Sequence, residues 1–154
     1  MIVDLLRNDL HRVCRPGSVH APEIFTVESY ATVHQLVSTV RGRLVDGMGP
    51  TDVLRACFPG GSITGAPKVR AMEIIAELEP NHRGPYCGAL GFIGYDGAMD
   101  SNIAIRTMAL KDGAAVFQAG GGIVADSTGE DEYMETRHKA GALMRAIDLA
   151  EGQE

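Results

Sequence analysis

The sequence predicts an α+β fold in which a mainly antiparallel sheet packs against helices. Asp96-Gly97 and Asp112-Gly113 are hairpin signals between apolar segments. A second observation is helical periodicity after Pro67, where apolar residues recur at Val69, Met72, Ile75 and Leu78. Consecutive hairpins with helices grouped outside them are typical of α+β proteins. At 154 residues, the whole chain is expected to form one domain, residues 1–154.

The first half of the chain predicts three helices and two strands. Residues 1–13 resemble the tail of an amphipathic helix, followed by a loop around Pro16-Gly17 and two strands within residues 23–45. Thr51 is expected to cap a short helix that ends near Phe58. A loop over residues 59–66 then leads into a helix that has Pro67 at its first position and ends near Leu78.

The second half predicts three strands and one long helix. Residues 80–85 form a loop, and strands are expected near residues 86–95, 101–111 and 114–119. A glycine-rich loop over residues 120–127 precedes a helix from about Gly129 to Ala150. On that helix Glu132, Glu135 and Lys139 share one stripe, because residues three and four apart are neighbours. Such acids can bind a hard cation, or they can simply complement the helix dipole.

Composition restricts the classes of function. The net charge is −6, so a nucleic acid partner is not expected. The sequence has neither an apolar segment of membrane-spanning length nor a secretory signal pattern. Three widely spaced cysteines without a CxxC pair are typical of reduced thiols, so a cytoplasmic location is expected.

Residues 59–68, PGGSITGAPK, form the most informative segment. Its three glycines allow the backbone to approach a ligand closely, and the helix that follows presents free N–H groups and a positive dipole end. Lys68 adds a full positive charge. The segment therefore predicts an anion cradle, although a glycine-rich connection would show the same pattern. A phosphate-binding module fits less well, because the P-loop spacing is absent.

This segment resembles the signature of the chorismate-utilising enzymes, a family that includes anthranilate, aminodeoxychorismate, isochorismate and salicylate synthases. Further stretches agree in order and spacing, namely IVDLLRNDL, HQLVSTVRGRL, YCGALGF, DSNIAIRT, QAGGGIVADS and EYMETRHKA. The residue sequence of this signature is most similar to that of the aminodeoxychorismate synthase branch. The resemblance implies only the C-terminal third of such a protein, truncated at its N-terminal side within a helix.

The resemblance implies a binding site for chorismate. Arg106 and Tyr86 correspond to residues that hold the enolpyruvyl carboxylate, and Lys139 corresponds to a contact with the ring carboxylate. The signature residues Ser62, Gly65, Ala66 and Lys68 are expected to contact substrate, as is the backbone of Gly120 and Gly122. On the sequence pattern alone, Arg106 lies in a strand and shares a face with Ala104, Met108 and Leu110.

The resemblance also implies a magnesium ion bound by Glu132 and Glu135. Further magnesium-binding glutamates and a lysine-bearing segment lie upstream in the family and are absent from these 154 residues. The two glutamates alone are therefore expected to bind magnesium weakly. Many relatives have a histidine acid or base where this sequence has Gln35. His34 is one residue earlier, and neighbouring strand residues point to opposite faces, so both are weak candidates for a catalytic role.

The implied function of the complete protein is amination of chorismate to 4-amino-4-deoxychorismate, with ammonia from a glutamine amidotransferase partner. Anthranilate synthase is the first alternative. Its reaction eliminates pyruvate, and glutamine rather than histidine at position 35 argues against this alternative. A second alternative is a non-catalytic remnant that only binds a ligand or a partner. Loss of neighbouring strands would also expose apolar faces, so limited stability or self-association is expected.

Overall fold

The computed structural model describes residues 1–31 and 33–152, which group into two compact units. The first unit consists of Met1–Glu79 and Phe92–Asp100. The second consists of Pro80–Gly91 and the chain from Ser101 onward. Helices and antiparallel strand pairs are both present, in agreement with the predicted α+β class.

The first unit begins with helix α1, Ile2–His11, and continues with strands β1, His20–Ser29, and β2, His34–Arg41. The two strands pair antiparallel. Three helices follow, namely α2 (Pro50–Cys57), α3 (Gly61–Thr64) and α4 (Lys68–Leu78). A small core lies between α1, β2 and α2, and its buried members are Val13, Cys14, Val19 and Ala56. Cys57, the last residue of α2, packs against this core shortly before the signature segment begins at residue 59.

Up to residue 152, the second half of the chain contains four strands, which form two pairs, and a long helix. Strands β3, Ala89–Ile93, and β4, Met99–Ile103, pair with each other. Strands β5, Met108–Lys111, and β6, Ala114–Phe117, pair antiparallel across the predicted Asp112-Gly113 turn. Helix α5 spans Gly129–Ala150, as predicted. The side-chain oxygen of Thr128 accepts a hydrogen bond from the Asp131 N–H at 3.2 Å, which explains why the helix begins there.

Several sequence predictions of local structure are wrong. Helix α2 begins at Pro50 rather than after Thr51, and the Asp52 carboxylate accepts the Gly49 N–H at 2.9 Å. The predicted loop over residues 59–66 contains α3. Pro67 caps α4 instead of starting it, because its ψ of 132° is extended, while its carbonyl accepts the Ala71 N–H at 3.0 Å.

The strand predicted over residues 101–111 is interrupted. Strand β4 ends at Ile103 and β5 begins at Met108. Between them Arg106 has a φ of 52°, in the left-handed region, and this interrupts the alternation of side chains along an extended strand. Arg106 therefore does not share a strand face with Met108 and Leu110, and the sequence prediction of its placement is wrong.

Large apolar side chains are unusually exposed in the described part of the chain. Within the described residues the strands form three two-stranded sheets rather than one continuous sheet. Their exposed apolar side chains include Ile24, Phe25 and Leu36 on the first pair, Leu90 and Phe92 on the second, and Leu110 and Val116 on the third. Two-stranded sheets are marginally stable without a covering layer. No helix in residues 1–31 and 33–152 is long and apolar enough to cross a membrane.

Candidate functional site

The Glu132 carboxylate lies at the start of α5 and is only half satisfied. Its Oε1 atom accepts a hydrogen bond from the Ser127 hydroxyl at 2.5 Å. Its Oε2 atom is buried and has no hydrogen-bond partner within the described ranges. A buried carboxylate oxygen without a donor is costly, so this atom marks a position where a cation or donor would be favourable.

Gly121, in the predicted glycine-rich loop, makes a close approach to both glutamates. A Cβ atom at residue 121 would lie 2.6 Å from Glu132 Oε2 and 3.7 Å from Glu135 Oε1. Real side chains do not pack at the first of these distances, so an alanine at residue 121 would require the end of the Glu132 side chain or the loop to move. Both carboxylates therefore lie close to the Gly121 backbone, as their spacing on one helix predicts.

Lys139 links the helix to the glycine-rich loop. Its ammonium forms an ion pair with Glu135 and donates a hydrogen bond to the Gly120 carbonyl at 3.2 Å. The hydrogen bond from Lys139 lowers the pKa of Glu135, and the charges of Lys139 and Arg106 lower it further. Glu135 is therefore held in its charged form.

Arg106 and Tyr86 lie beside the same loop and helix. The Arg106 guanidinium donates a hydrogen bond to the Lys139 carbonyl at 3.2 Å. The Tyr86 hydroxyl would be 3.2 Å from a Cβ atom at Gly120. The second unit thus brings together five of the predicted site residues, namely Tyr86, Arg106, Gly120, Glu135 and Lys139. Gly122 is in the same loop, and a Cβ atom there would meet nothing within 4 Å.

The residues of this cluster fit part of a magnesium site. Magnesium prefers carboxylate oxygens and retains several waters, and Glu132 and Glu135 supply two such ligands next to an unsatisfied oxygen. Residues 1–31 and 33–152 contain no group of three or more histidine, cysteine or acidic side chains that could hold a metal ion. The donor set within these ranges is therefore limited to the two carboxylates, and the magnesium ion and its weak binding stay predictions.

The signature segment belongs to the first unit. Ser62 lies in α3, and Gly65 follows it with a φ of 103°, a conformation that favours glycine. Ala66 is exposed. The Lys68 ammonium forms an ion pair with the buried Asp9 carboxylate at 2.8 Å and donates to the Cys57 carbonyl at 3.4 Å.

His34 and Gln35 lie at the start of β2, and both are exposed. The His34 Nδ1 atom is 2.9 Å from the Ser29 hydroxyl oxygen, and these two residues are also paired across the strands. Gln35 pairs with Glu28. The roles suggested for His34 and Gln35 stay predictions.

Two residues with clear roles at these sites were absent from the sequence prediction. Ser127 binds Glu132, and Asp9 binds Lys68. The Ser127 contact joins residues five positions apart at a loop–helix junction, whereas the capping box joins residues three apart, so no capping pattern indicated it. No local sequence pattern indicated the contact between Asp9 and Lys68, because most of the first unit separates the two residues along the chain.

Comparison with known proteins assigns the family. Residues 1–145 match the chorismate binding enzyme family, and the chain belongs to it. It is 55% identical over 148 residues to aminodeoxychorismate synthase component 1 of Salmonella typhimurium, covering 96% of this chain and 33% of that protein. It is 54% identical over 151 residues to anthranilate synthase component 1 of Bacillus caldotenax, covering 98% of this chain and 30% of that protein.

A solved structure confirms the fold. The crystal structure of anthranilate synthase component I from Streptococcus pneumoniae superposes with a TM-score of 0.83 at 48% sequence identity. The match covers 91% of this chain and 32% of that structure. The chain thus spans about a third of the length of the relatives it matches. Because two kinds of synthase are similar at nearly equal identity, the particular family member is not distinguished by these comparisons.

Proposed function

We propose that this chain forms part of the chorismate site of an aminodeoxychorismate synthase component I. The observation that carries the proposal is the cluster of Tyr86, Arg106, Glu135 and Lys139 around the Gly120 backbone. It places two cations and a phenol hydroxyl beside a glycine-rich loop, and chorismate is a dicarboxylate that carries hydroxyl and ether oxygens. An arginine fork matches a carboxylate in two-point geometry.

In the proposed reaction the C–O bond at ring C4 breaks and a C–N bond to ammonia forms, with net release of water. A glutamine amidotransferase is the proposed source of the ammonia. Arg106 and Tyr86 bind the side-chain carboxylate, and Lys139 orients the ring carboxylate. Magnesium, when bound by Glu132 and Glu135, would supply neutralisation of carboxylate charge at the ring.

The proposal also concerns the exposed apolar faces of the strand pairs. The chain matches about a third of the length of its relatives. In an active assembly, the remaining parts of the chorismate-binding fold would cover these exposed apolar faces. Turnover is therefore proposed for that assembly, whereas ligand binding is the activity proposed for the 154 residues.

Equilibrium binding of chorismate to the purified chain, with and without magnesium, tests the proposal. We expect saturable binding that weakens at least about tenfold in Arg106→Met, since a charged hydrogen-bond pair is lost. Arg137→Met is the matched control, because Arg137 is an exposed cation on the same helix as Lys139. No saturable binding by the wild-type chain, or equal loss in both variants, would contradict the proposal.

Anthranilate synthase component I is the second candidate, and the 54% identical Bacillus relative favours it. Product analysis separates the two in a complementation assay in which the chain is combined with the first two thirds of the Salmonella relative. Fluorescent anthranilate would indicate the second candidate. Formation of p-aminobenzoate only after a lyase is added would support the first. Chorismate binding without either product would indicate a chain that only binds ligand.

A further inference from the structure

Asp9 is a buried carboxylate that the proposed function does not use. It lies in α1 and only 3% of its surface is exposed. Its Oδ1 atom is 2.8 Å from the Lys68 ammonium, and its Oδ2 atom accepts the Gly61 N–H at 2.9 Å. Both oxygens are therefore occupied by donors from the signature segment.

The two donors stand at the two ends of the part of the signature that is expected to contact ligand. Gly61 is the first residue of α3, and Lys68 is the first residue of α4. The two contacts of the Asp9 carboxylate therefore lie on either side of Ser62, Gly65 and Ala66 in the sequence. Contact with α1 is close, because a Cβ atom at Gly61 would be 3.3 Å from both Asp9 Oδ2 and Leu5 Cβ.

The Lys68 side chain is also largely withdrawn from solvent. It is 19% exposed, against 4% for the Asp9 side chain, and its second acceptor is the Cys57 carbonyl. Burying a carboxylate costs free energy that only a close cation and good hydrogen bonds offset. Loss of either partner leaves an uncompensated buried charge, so the two side chains depend on each other.

We infer that Asp9 is a positioning residue that clamps the signature segment to α1 through the Gly61 N–H and the Lys68 ammonium. The clamp holds residues 62–66 in one conformation before ligand arrives, and the Lys68 ammonium belongs to Asp9 rather than to a ligand carboxylate. Preorganisation of a binding loop improves affinity because less conformational freedom is lost on binding. The effect on ligand affinity rests on the proposed function, whereas the clamp itself does not.

Amide hydrogen exchange of Gly61 and Gly65 tests the clamp without any ligand. In Asp9→Ala we expect exchange at these two amides to accelerate at least about tenfold through local opening, with no change in strand β5. Asp4→Ala is the matched control, because Asp4 is on the same helix with its side chain 72% exposed. Equal exchange at Gly61 and Gly65 in Asp9→Ala and Asp4→Ala would overturn the inference.

A second set of variants applies if Asp9→Ala does not fold. Lys68→Met alone should raise the equilibrium constant for unfolding of the first unit. Adding Asp9→Asn to Lys68→Met should lower that constant again, since the unpaired buried charge is removed. The same Asp9→Asn change in the wild-type background should raise it. An equal effect of Asp9→Asn in both backgrounds would show that the two residues are not coupled.

Chorismate binding separates positioning from a purely structural role. We expect Asp9→Ala to weaken the chorismate Kd about tenfold while Asp4→Ala leaves it unchanged. A loosened segment with an unchanged Kd would overturn the positioning role. If the wild-type chain binds no chorismate, the proposed function fails, while the exchange result still decides whether Asp9 clamps the segment.

Discussion

The Glu132 carboxylate and the Gly121 backbone approach closely, and a Cβ atom at residue 121 would lie 2.6 Å from Oε2 in its present position. Gly121→Ala must therefore displace the carboxylate or the loop. We expect this variant to weaken magnesium binding at least about tenfold, because one of two proposed ligands moves. Isothermal titration calorimetry with magnesium chloride measures the effect.

Gly141→Ala is the control for that experiment, because a Cβ atom there would meet nothing within 4 Å. It lies inside α5, where alanine is preferred over glycine by about 1 kcal/mol, so it should be slightly stabilised and bind magnesium as the wild type does. Equal magnesium affinity in both variants would remove Glu132 from the proposed site.

The Asp112-Gly113 turn should resist replacement of its glycine. Gly113 has a φ of 77° and Asp112 a φ of 51°, as a two-residue hairpin turn requires. Gly113→Ala is expected to lower the free energy of unfolding by about 1–2 kcal/mol, the usual cost of a left-handed alanine. Urea denaturation monitored at amides of β5 and β6 measures this. Gly129→Ala serves as the control, and a similar small effect in both variants would contradict the expectation.

The Cys57 thiol should be slow to react. Its partial burial raises its pKa, Asp9 raises it further, and Lys68 acts in the opposite direction. A raised thiol pKa stabilises the folded chain below the ordinary thiol range, and that stabilisation is lost as pH rises through the folded value. Alkylation rates against pH should show a midpoint above that of the urea-unfolded chain. Asp9→Asn should lower the midpoint and Lys68→Met should raise it, whereas the reverse order would contradict the arrangement at Lys68.

The exposed strand faces should cause association of the isolated chain. Phe25 is 68% exposed, Leu90 is 69% exposed and Leu110 is 76% exposed. Apolar side chains on open strand edges favour pairing with other chains. Sedimentation velocity over a range of concentrations should therefore show self-association. A monodisperse monomer with one sharp, cooperative melting transition would show that this expectation is wrong.

Local signals explain what the sequence predicts correctly. The bounds of α5 follow from Thr128 as cap, acids in the first turn and sustained helical residues. The Asp112-Gly113 hairpin follows from two residues that tolerate positive φ. The convergence of Glu132 and Glu135 follows from their spacing on one helix. Each of these features depends on residues within a few positions of one another.

Long-range contacts explain what the sequence does not predict. Cys87 and Gly88 bond to the Ala104 backbone just before Arg106, and the guanidinium reaches Lys139, 33 residues away. Nothing near Arg106 in the sequence indicates its left-handed backbone. Helix α3 is too short, at four residues, to show a periodic pattern. The roles of the predicted site residues, the magnesium ion and the cytoplasmic location stay predictions.

The hydrogen bond from Gly61 to Asp9 joins residues 52 positions apart, and this separation has a consequence for folding kinetics. Closing so long a segment carries an entropic cost that local hairpins and helices do not meet. We expect the β1–β2 hairpin to become protected first and the Gly61 amide later, which pulse-labelling hydrogen exchange during refolding can resolve. Simultaneous protection would contradict this order. A chain interrupted during synthesis before residue 61 would then have its first helix and hairpin in place while its most specific segment is still unformed.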